Sequence, residues 1–66
     1  MRIVFNGEAR DVDGEPTLAE VLAAAGMPER GIAVALDGQV VPRTAWADTR
    51  PADGAQVEVL TAVQGG

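Results

Sequence analysis

The sequence of 66 residues predicts an α+β fold, with one helix packed on one face of a mixed β-sheet. Short β-type runs separated by turn residues lie on both sides of a single helical stretch. Both ends of the chain also carry alternating apolar residues, which are buried together when the first and last strands lie side by side in the middle of the sheet. We therefore expect one domain with the two ends of the chain paired at its centre.

The first residues predict a β-hairpin. Ile3 and Phe5 share one face of a strand because side chains alternate along it. Asn6-Gly7 follows, and both residues tolerate the positive φ of a type I′ turn. The return strand, residues 8–13, is polar, so we expect it at an edge of the sheet.

The stretch TLAEVLAAAG predicts the helix, at residues 18–25. Thr17 and Glu20 have the T-x-x-E spacing of a capping box, in which each side chain binds a free backbone N–H at the helix start. Gly26 provides the stop. Apolar residues recur at helical spacing and form one stripe: Leu18, Val21, Leu22 and Ala25.

The rest of the chain predicts three more strands. The third strand turns Ile32, Val34 and Leu36 to one face, and a short fourth strand, residues 39–41, follows an Asp-Gly turn. An irregular connection with one helical turn leads to the last strand, residues 56–63. This order predicts the β-grasp, or ubiquitin-like, fold, as a domain of residues 1–62 with a flexible Gly-Gly tail at residues 63–66.

The chain lacks several of the residue types that carry out catalysis or bind metals. It has no cysteine and no histidine, and it also lacks serine and lysine. The usual nucleophiles, the usual general base and the commonest metal ligands are therefore missing, so we predict no catalytic residue, no metal site and no bound cofactor. The acidic cluster near the second strand lacks calcium-loop spacing and is interpreted as a solvated edge: Glu8, Asp11, Asp13 and Glu15.

The charge of the chain limits its partners. A net charge of −5 argues against binding nucleic acid and favours a protein partner with a positive face. No apolar run is long enough to span a bilayer and no signal peptide opens the chain, so we expect a cytoplasmic protein that does not bind membranes. We expect it to be a monomer when free.

One face of the predicted sheet is more apolar than solvent exposure requires. Val4, Ala33, Ala35 and Leu60 are predicted to point away from the helix, where a small domain would ordinarily place polar groups. Such a patch favours a docking surface for a partner protein. The alternative is that strand propensity alone selected these residues.

Two motifs resemble those of a known family. V-P-R-x-x-W spans Val41 to Trp46, and the chain ends on Gly65-Gly66. With MRIVFNGE at the start and DGAQVEVLTAVQGG at the end, they resemble the ThiS family, the sulfur carriers of thiamine biosynthesis. The resemblance covers nearly the whole chain.

The resemblance implies a role for the C-terminus. An E1-like adenylating enzyme would use ATP and Mg²⁺, neither bound by the carrier itself, to convert the carboxylate of Gly66 to an acyl-adenylate. Sulfur from a cysteine-desulfurase relay would displace AMP and leave a thiocarboxylate, which thiazole synthase would use to build the thiazole ring. Gln64 and Gly65 would thread into the partner's site, where a residue without a Cβ atom passes a narrow channel. The chain would be a co-substrate and not an enzyme.

Other interpretations remain open at this stage. The chain could resemble the small subunit of molybdopterin synthase, feed another sulfur pathway, or be a ubiquitin-like modifier conjugated to lysines. It could also be an interaction module with a frayed end. We expect Trp46 to cap the core with its N–H at the rim. Arg43 is expected to lie in solvent or to bind nearby carbonyls, with a partner contact as the alternative.

Overall fold

The computed structural model describes residues 1–61 of the chain. Within them, a sheet of five strands has the order β2-β1-β5-β3-β4. The first and last strands are parallel neighbours, and the remaining pairs are antiparallel. This confirms the predicted α+β arrangement of the β-grasp fold. The elements are β1 (Arg2–Phe5), β2 (Glu8–Asp11), α1 (Leu18–Ala24), β3 (Ile32–Leu36), β4 (Gln39–Val40), a 3-10 helix (Arg43–Asp48) and β5 (Gln56–Thr61).

The N-terminal hairpin forms as predicted, with a shorter second strand. Asn6 and Gly7 both have positive φ, at 48° and 84°, as a type I′ turn requires. Strand β2 is exposed along its whole length at the edge of the sheet. It ends before residue 13 because the N–H of Val12 already binds the carbonyl of Met1, and no earlier residue of β1 is left to pair.

The start of helix α1 has the predicted capping box. The N–H of Glu20 donates to Thr17 Oγ1 over 3.2 Å, and the N–H of Thr17 donates to Glu20 Oε1 over 2.8 Å. The hydroxyl of Thr17 also donates to Glu20 Oε1, over 3.2 Å. The bonds that the backbone N–H and the hydroxyl of Thr17 donate to this carboxylate lower the pKa of Glu20 from its ordinary value near 4.5, because they stabilise its charged form.

The helix ends at Ala24, one residue earlier than predicted, in a Schellman motif. Gly26 has a φ of 76°, and its N–H donates to the carbonyl of Ala23 over 3.0 Å. The N–H of Met27 donates to the carbonyl of Leu22 over 2.9 Å. Both bonds satisfy carbonyls that the last turn leaves free, and the left-handed conformation at the stop favours glycine.

The core lies between helix α1 and one face of the sheet. The alternation predicted for the central strands is confirmed, since Val34, Val57 and Val59 are all buried. In residues 1–61 no polar or charged side chain is buried, so burial of apolar surface is the main stabilising contribution. The buried cluster comprises Ile3, Phe5, Leu18, Val21, Leu22, Val34, Trp46, Val57 and Val59.

The end of the predicted last strand, the domain boundary at residue 62 and the whole tail lie outside the described residues. None of the helices within residues 1–61 has the length and apolar character that a bilayer crossing requires.

Candidate functional site

The face of the sheet opposite helix α1 has an exposed apolar area. Cross-strand pairing places Ala33 opposite Leu60 and Ala35 opposite Val40. Val40 and Leu60 expose 76% and 71% of their surface, the largest exposures of any large apolar residue in the described part of the chain. A shallow hollow of about 140 Å³ forms among these strands. We call it the open-face hollow; its lining is Ala33, Val34, Ala35, Val40, Glu58 and Leu60.

The hollow includes three of the four residues that the sequence predicted for docking. Ala33, Ala35 and Leu60 line it, whereas Val4 does not. Val4 lies on the same face but pairs with Ala9 and Gln56, nearer the β2 edge, and it is half-buried. The structure therefore groups the predicted residues around β3 and β5, and separates Val4 from them.

Sequence reasoning missed Val40. This residue is one of only two in strand β4, so no alternating pattern marks the face on which it lies. The Asp37-Gly38 turn before Val40 could have predicted the face on which it lies. A two-residue turn sets the register of a hairpin, and with Ala35 assigned outward the opposite residue, Val40, must point outward as well.

Glu58 gives the hollow its charge. It pairs with Ala35 on the open face and is exposed, and it is the one ionisable residue among the described lining residues. A carboxylate beside a small apolar area suits a partner that presents an apolar side chain next to an arginine or lysine.

The V-P-R-x-x-W motif is held together by its own contacts. Pro42 precedes the first residue of the 3-10 helix, and the indole N–H of Trp46 donates to the carbonyl of Val41 over 2.9 Å. Trp46 is 6% exposed and packs in the core, as predicted, with its N–H at the rim. Arg43 is exposed, and it lines a separate groove near helix α1. The spacing of the motif thus has a structural cause, because the hydrogen bond between its first and last residues closes a loop over the core.

The site predicted in the tail follows strand β5 in sequence. Gln64, Gly65 and Gly66 lie outside the described residues. The last described residue of β5, Thr61, pairs with Ile32 of β3. Strand β5, after which the tail follows in sequence, is the central strand of the sheet, and two of its outward residues, Glu58 and Leu60, line the open-face hollow.

Nothing in the described part of the chain suggests a metal centre. Among residues 1–61 no group of three or more histidine, cysteine, aspartate or glutamate side chains could hold a metal ion. Glu8 and Asp11 of the acidic cluster are exposed on the β2 edge, where Asp11 forms an ion pair with Arg2 at 3.1 Å.

Comparisons with known sequences agree with the geometry. The sulfur carrier protein ThiS of Escherichia coli (strain K12) is 33% identical over 66 residues, which cover all of both chains. A thiazole synthase of Paramagnetospirillum magneticum is 30% identical over the same 66 residues. The chain spans only 20% of the length of that thiazole synthase.

Solved structures agree as well. The crystal structure of the thiamine biosynthesis protein ThiS of Geobacter metallireducens matches with a TM-score of 0.85 and 33% identity, over all of both chains. A solution structure of a thiamine biosynthesis protein from the same organism matches with a TM-score of 0.79 and 33% identity, over all of this chain and 88% of the other. The sequence model described as "ThiS family" matches residues 3–66. From fold, motifs and these matches together, the chain belongs to the ThiS family.

Proposed function

We propose that this chain is a sulfur carrier of thiamine biosynthesis, charged as a thiocarboxylate on Gly66. The observation that carries the proposal is the position of β5. Its outward residues, Glu58 and Leu60, line an uncovered apolar hollow, and the same strand leads toward the C-terminus. A partner docked on the hollow would hold the tail close to its own active site. The end-to-end match with the Escherichia coli sulfur carrier supports the same function.

The chemistry requires activation before sulfur is added. A carboxylate is a poor electrophile, so its oxygen would first attack the α-phosphorus of ATP, releasing pyrophosphate and forming an acyl-adenylate. The terminal sulfur of a persulfide on the relay would then attack the acyl carbon, and AMP would leave with the bonding electron pair. A thiol of a partner protein would next attack the relay sulfur of the resulting acyl disulfide, which forms a disulfide on the partner side and releases the thiocarboxylate. ATP and Mg²⁺ belong to the adenylating partner, and the sulfur to a cysteine-desulfurase relay. An enclosed partner site would protect the adenylate from water.

The composition of the chain suits this role. An activated acyl group reacts with thiols and amines, and this sequence has no cysteine and no lysine. Its α-amino group at Met1 is partly buried and donates to the carbonyl of Val12 over 2.8 Å. One copy of the chain therefore offers few nucleophiles that could react with the activated terminus of another copy. This composition favours a carrier that enzymes act on, and it disfavours a modifier that forms polymers of itself.

Two protein partners follow from the proposal. The first is an E1-like adenylating enzyme. The second is a thiazole synthase. One thiazole synthase contains a segment, 20% of its length, that is similar to this whole chain, and this supports the proposed partnership. Docking is proposed through Ala33, Ala35, Val40 and Leu60, with Val4 at the margin of the same face. Because the reaction consumes ATP, we place it in the cytoplasm.

The direct test is the intact mass of the purified protein after incubation with ATP, Mg²⁺, the cognate adenylating enzyme and a sulfur source. A gain equal to one sulfur replacing one oxygen is expected. The gain should be absent when Gly66 is deleted, and also when one residue is added after Gly66, because the carboxylate then no longer reaches the nucleotide.

An unchanged mass with an enzyme that charges its own carrier would contradict the proposal. Isopeptide-linked adducts on lysines of other proteins, without a free thiocarboxylate, would instead support a ubiquitin-like modifier.

A further inference from the structure

Two turns of the sheet contact strand β5 in the same unusual way. Asn6-Gly7 and Asp37-Gly38 each begin with a non-glycine residue at positive φ, 48° and 49°. In each turn the side-chain oxygen of that residue accepts a hydrogen bond from a backbone N–H of β5. One contact is at Gln56, the first residue of β5, and the other is at Val59, three residues further along the strand.

Asn6 replaces a missing carbonyl of the parallel ladder. Its own N–H donates to the carbonyl of Val57 over 2.9 Å, which continues the β1–β5 pairing. In a regular parallel pair the carbonyl of the same residue would accept the next N–H of β5. The turn rotates that carbonyl away, and Asn6 Oδ1 accepts from the N–H of Val59 over 2.7 Å instead.

This bond is the last one that holds β5 from the β1 side. Beyond Val59, the pairing described for β5 is with β3 alone, Leu60 with Ala33 and Thr61 with Ile32. The Val59 side chain is 7% exposed, and the hydrogen bond to Asn6 is partly buried. Without an acceptor, the Val59 N–H would be left unpaired in a partly buried place, which is unfavourable.

Asp37 makes the equivalent contact at the start of β5. Its N–H donates to the carbonyl of Gln56 over 2.8 Å, and its Oδ1 accepts from the N–H of Gln56 over 2.9 Å. A side-chain oxygen again accepts from the strand at a similar turn, here from a carboxylate and on the opposite side of the strand. Gln56 is the residue of β5 farthest from the tail. Asp37 is therefore a matched control for Asn6.

We infer that Asn6 is a positioning residue for charging of the C-terminus: its side-chain carboxamide holds β5 at Val59, and so fixes the part of the strand from which the chain continues toward Gly66. The inference rests on the proposed sulfur-carrier function. Asparagine meets both requirements at this position, since it tolerates positive φ and supplies an acceptor oxygen, whereas glycine meets only the first. Loosening this contact would leave docking intact and lower the fraction of docked complexes whose carboxylate lies in the partner's site.

Asn6→Gly and Asp37→Gly form the test pair. Both keep the positive φ, and both add the same flexible residue to the unfolded chain, so we expect both variants to fold. The larger loss of stability is expected in Asn6→Gly, because its lost hydrogen bond is partly buried whereas that of Asp37 is exposed. In Asn6→Gly, hydrogen exchange of the Val59 amide should accelerate by about tenfold while that of Gln56 is unchanged. In Asp37→Gly the pattern should be reversed.

The functional readout is steady-state charging by the adenylating enzyme, followed by intact mass. For Asn6→Gly we expect kcat to fall by about three- to tenfold, with KM changed less than about twofold, because the docking face is intact. Asp37→Gly should keep the kcat of the parent chain. Asn6→Asp, which restores an acceptor oxygen, should recover most of the lost kcat.

Each outcome has a definite meaning. A lower kcat in Asn6→Gly, with recovery in Asn6→Asp and none of the loss in Asp37→Gly, supports the inference. Equal kcat values in the two glycine variants overturn it while leaving the proposed function standing. If the parent chain is not charged by an enzyme that charges its own carrier, the proposed function fails, and the inference fails with it.

Discussion

The two faces of the sheet are built from the same strands but differ in how far their apolar residues are buried. On the covered face, Ile3, Val34 and Val57 are at most 1% exposed and pack beneath helix α1. On the open face, the neighbouring positions carry Leu60 and Val40, each more than two-thirds exposed. Since a domain of this size has little apolar surface to spare for its core, the apolar residues left uncovered support the proposal that a partner docks on this face. Burial in the isolated chain therefore separates the apolar residues that stabilise the fold from those that remain exposed to a partner.

The largest effect is expected from damage to the covered face. Ile3→Ala removes a fully buried side chain and should lower the free energy of unfolding by about 2–5 kcal/mol. The adjacent Val4→Ala is the matched control, because Val4 points to the open face and is already half-exposed. Urea unfolding measures both. An equal loss in the two variants would show that the faces do not differ as described.

A smaller loss of stability is expected at the rim of the core. Trp46→Phe removes the indole N–H that binds the Val41 carbonyl, at a cost of about 1–3 kcal/mol in free energy of unfolding. Charging of the folded variant should be unchanged, since the motif contacts the core. Normal stability with lost charging would instead assign Trp46 to the docking surface.

The charge on the open face should affect association more weakly. Glu58→Gln should lower the association rate constant with the adenylating enzyme by about two- to threefold at low salt, and it should reduce the salt dependence. Glu8→Gln, on the exposed edge strand, removes the same charge away from the hollow and is the control. Stopped-flow association measures the difference. If both variants lowered the association rate constant equally, Glu58 would act only through the net charge of the chain and not through its position in the hollow.

The smallest effect concerns the helix that covers the core, and it depends on pH. Because the folded state lowers the pKa of Glu20, its ionised form adds stability above about pH 4.5, and that contribution disappears as the pH falls through the folded-state pKa. Glu20→Gln keeps a capping side chain that does not titrate. The parent chain should therefore be more stable than the variant at pH 7 by a margin that shrinks toward pH 2, as measured by thermal unfolding across this pH range. A stability difference between the parent chain and the variant that stays constant with pH would contradict a lowered pKa of Glu20 in the folded state.

Local patterns predicted most of the elements. The Asn6-Gly7 turn and the Thr17 capping box fix conformation within a few residues, so the sequence alone was sufficient for them. The side-chain contact from Asn6 to Val59 was not predicted, because it joins residues 53 positions apart and depends on the strand pairing. Val40 was missed because two residues show no period, and the separation of Val4 from the hollow required the register of β1 against β5.

The division between a folding face and a docking face is tested most directly by Leu60→Gln, with unfolding temperature and charging kinetics measured on the same sample. Gln56→Ala, an exposed position of the same strand and face outside the hollow, is the control. We predict an unchanged unfolding temperature and a KM for charging raised by about tenfold, because burial of most of a leucine side chain against the partner is lost. An unchanged KM in a stable Leu60→Gln variant would contradict docking through the open face.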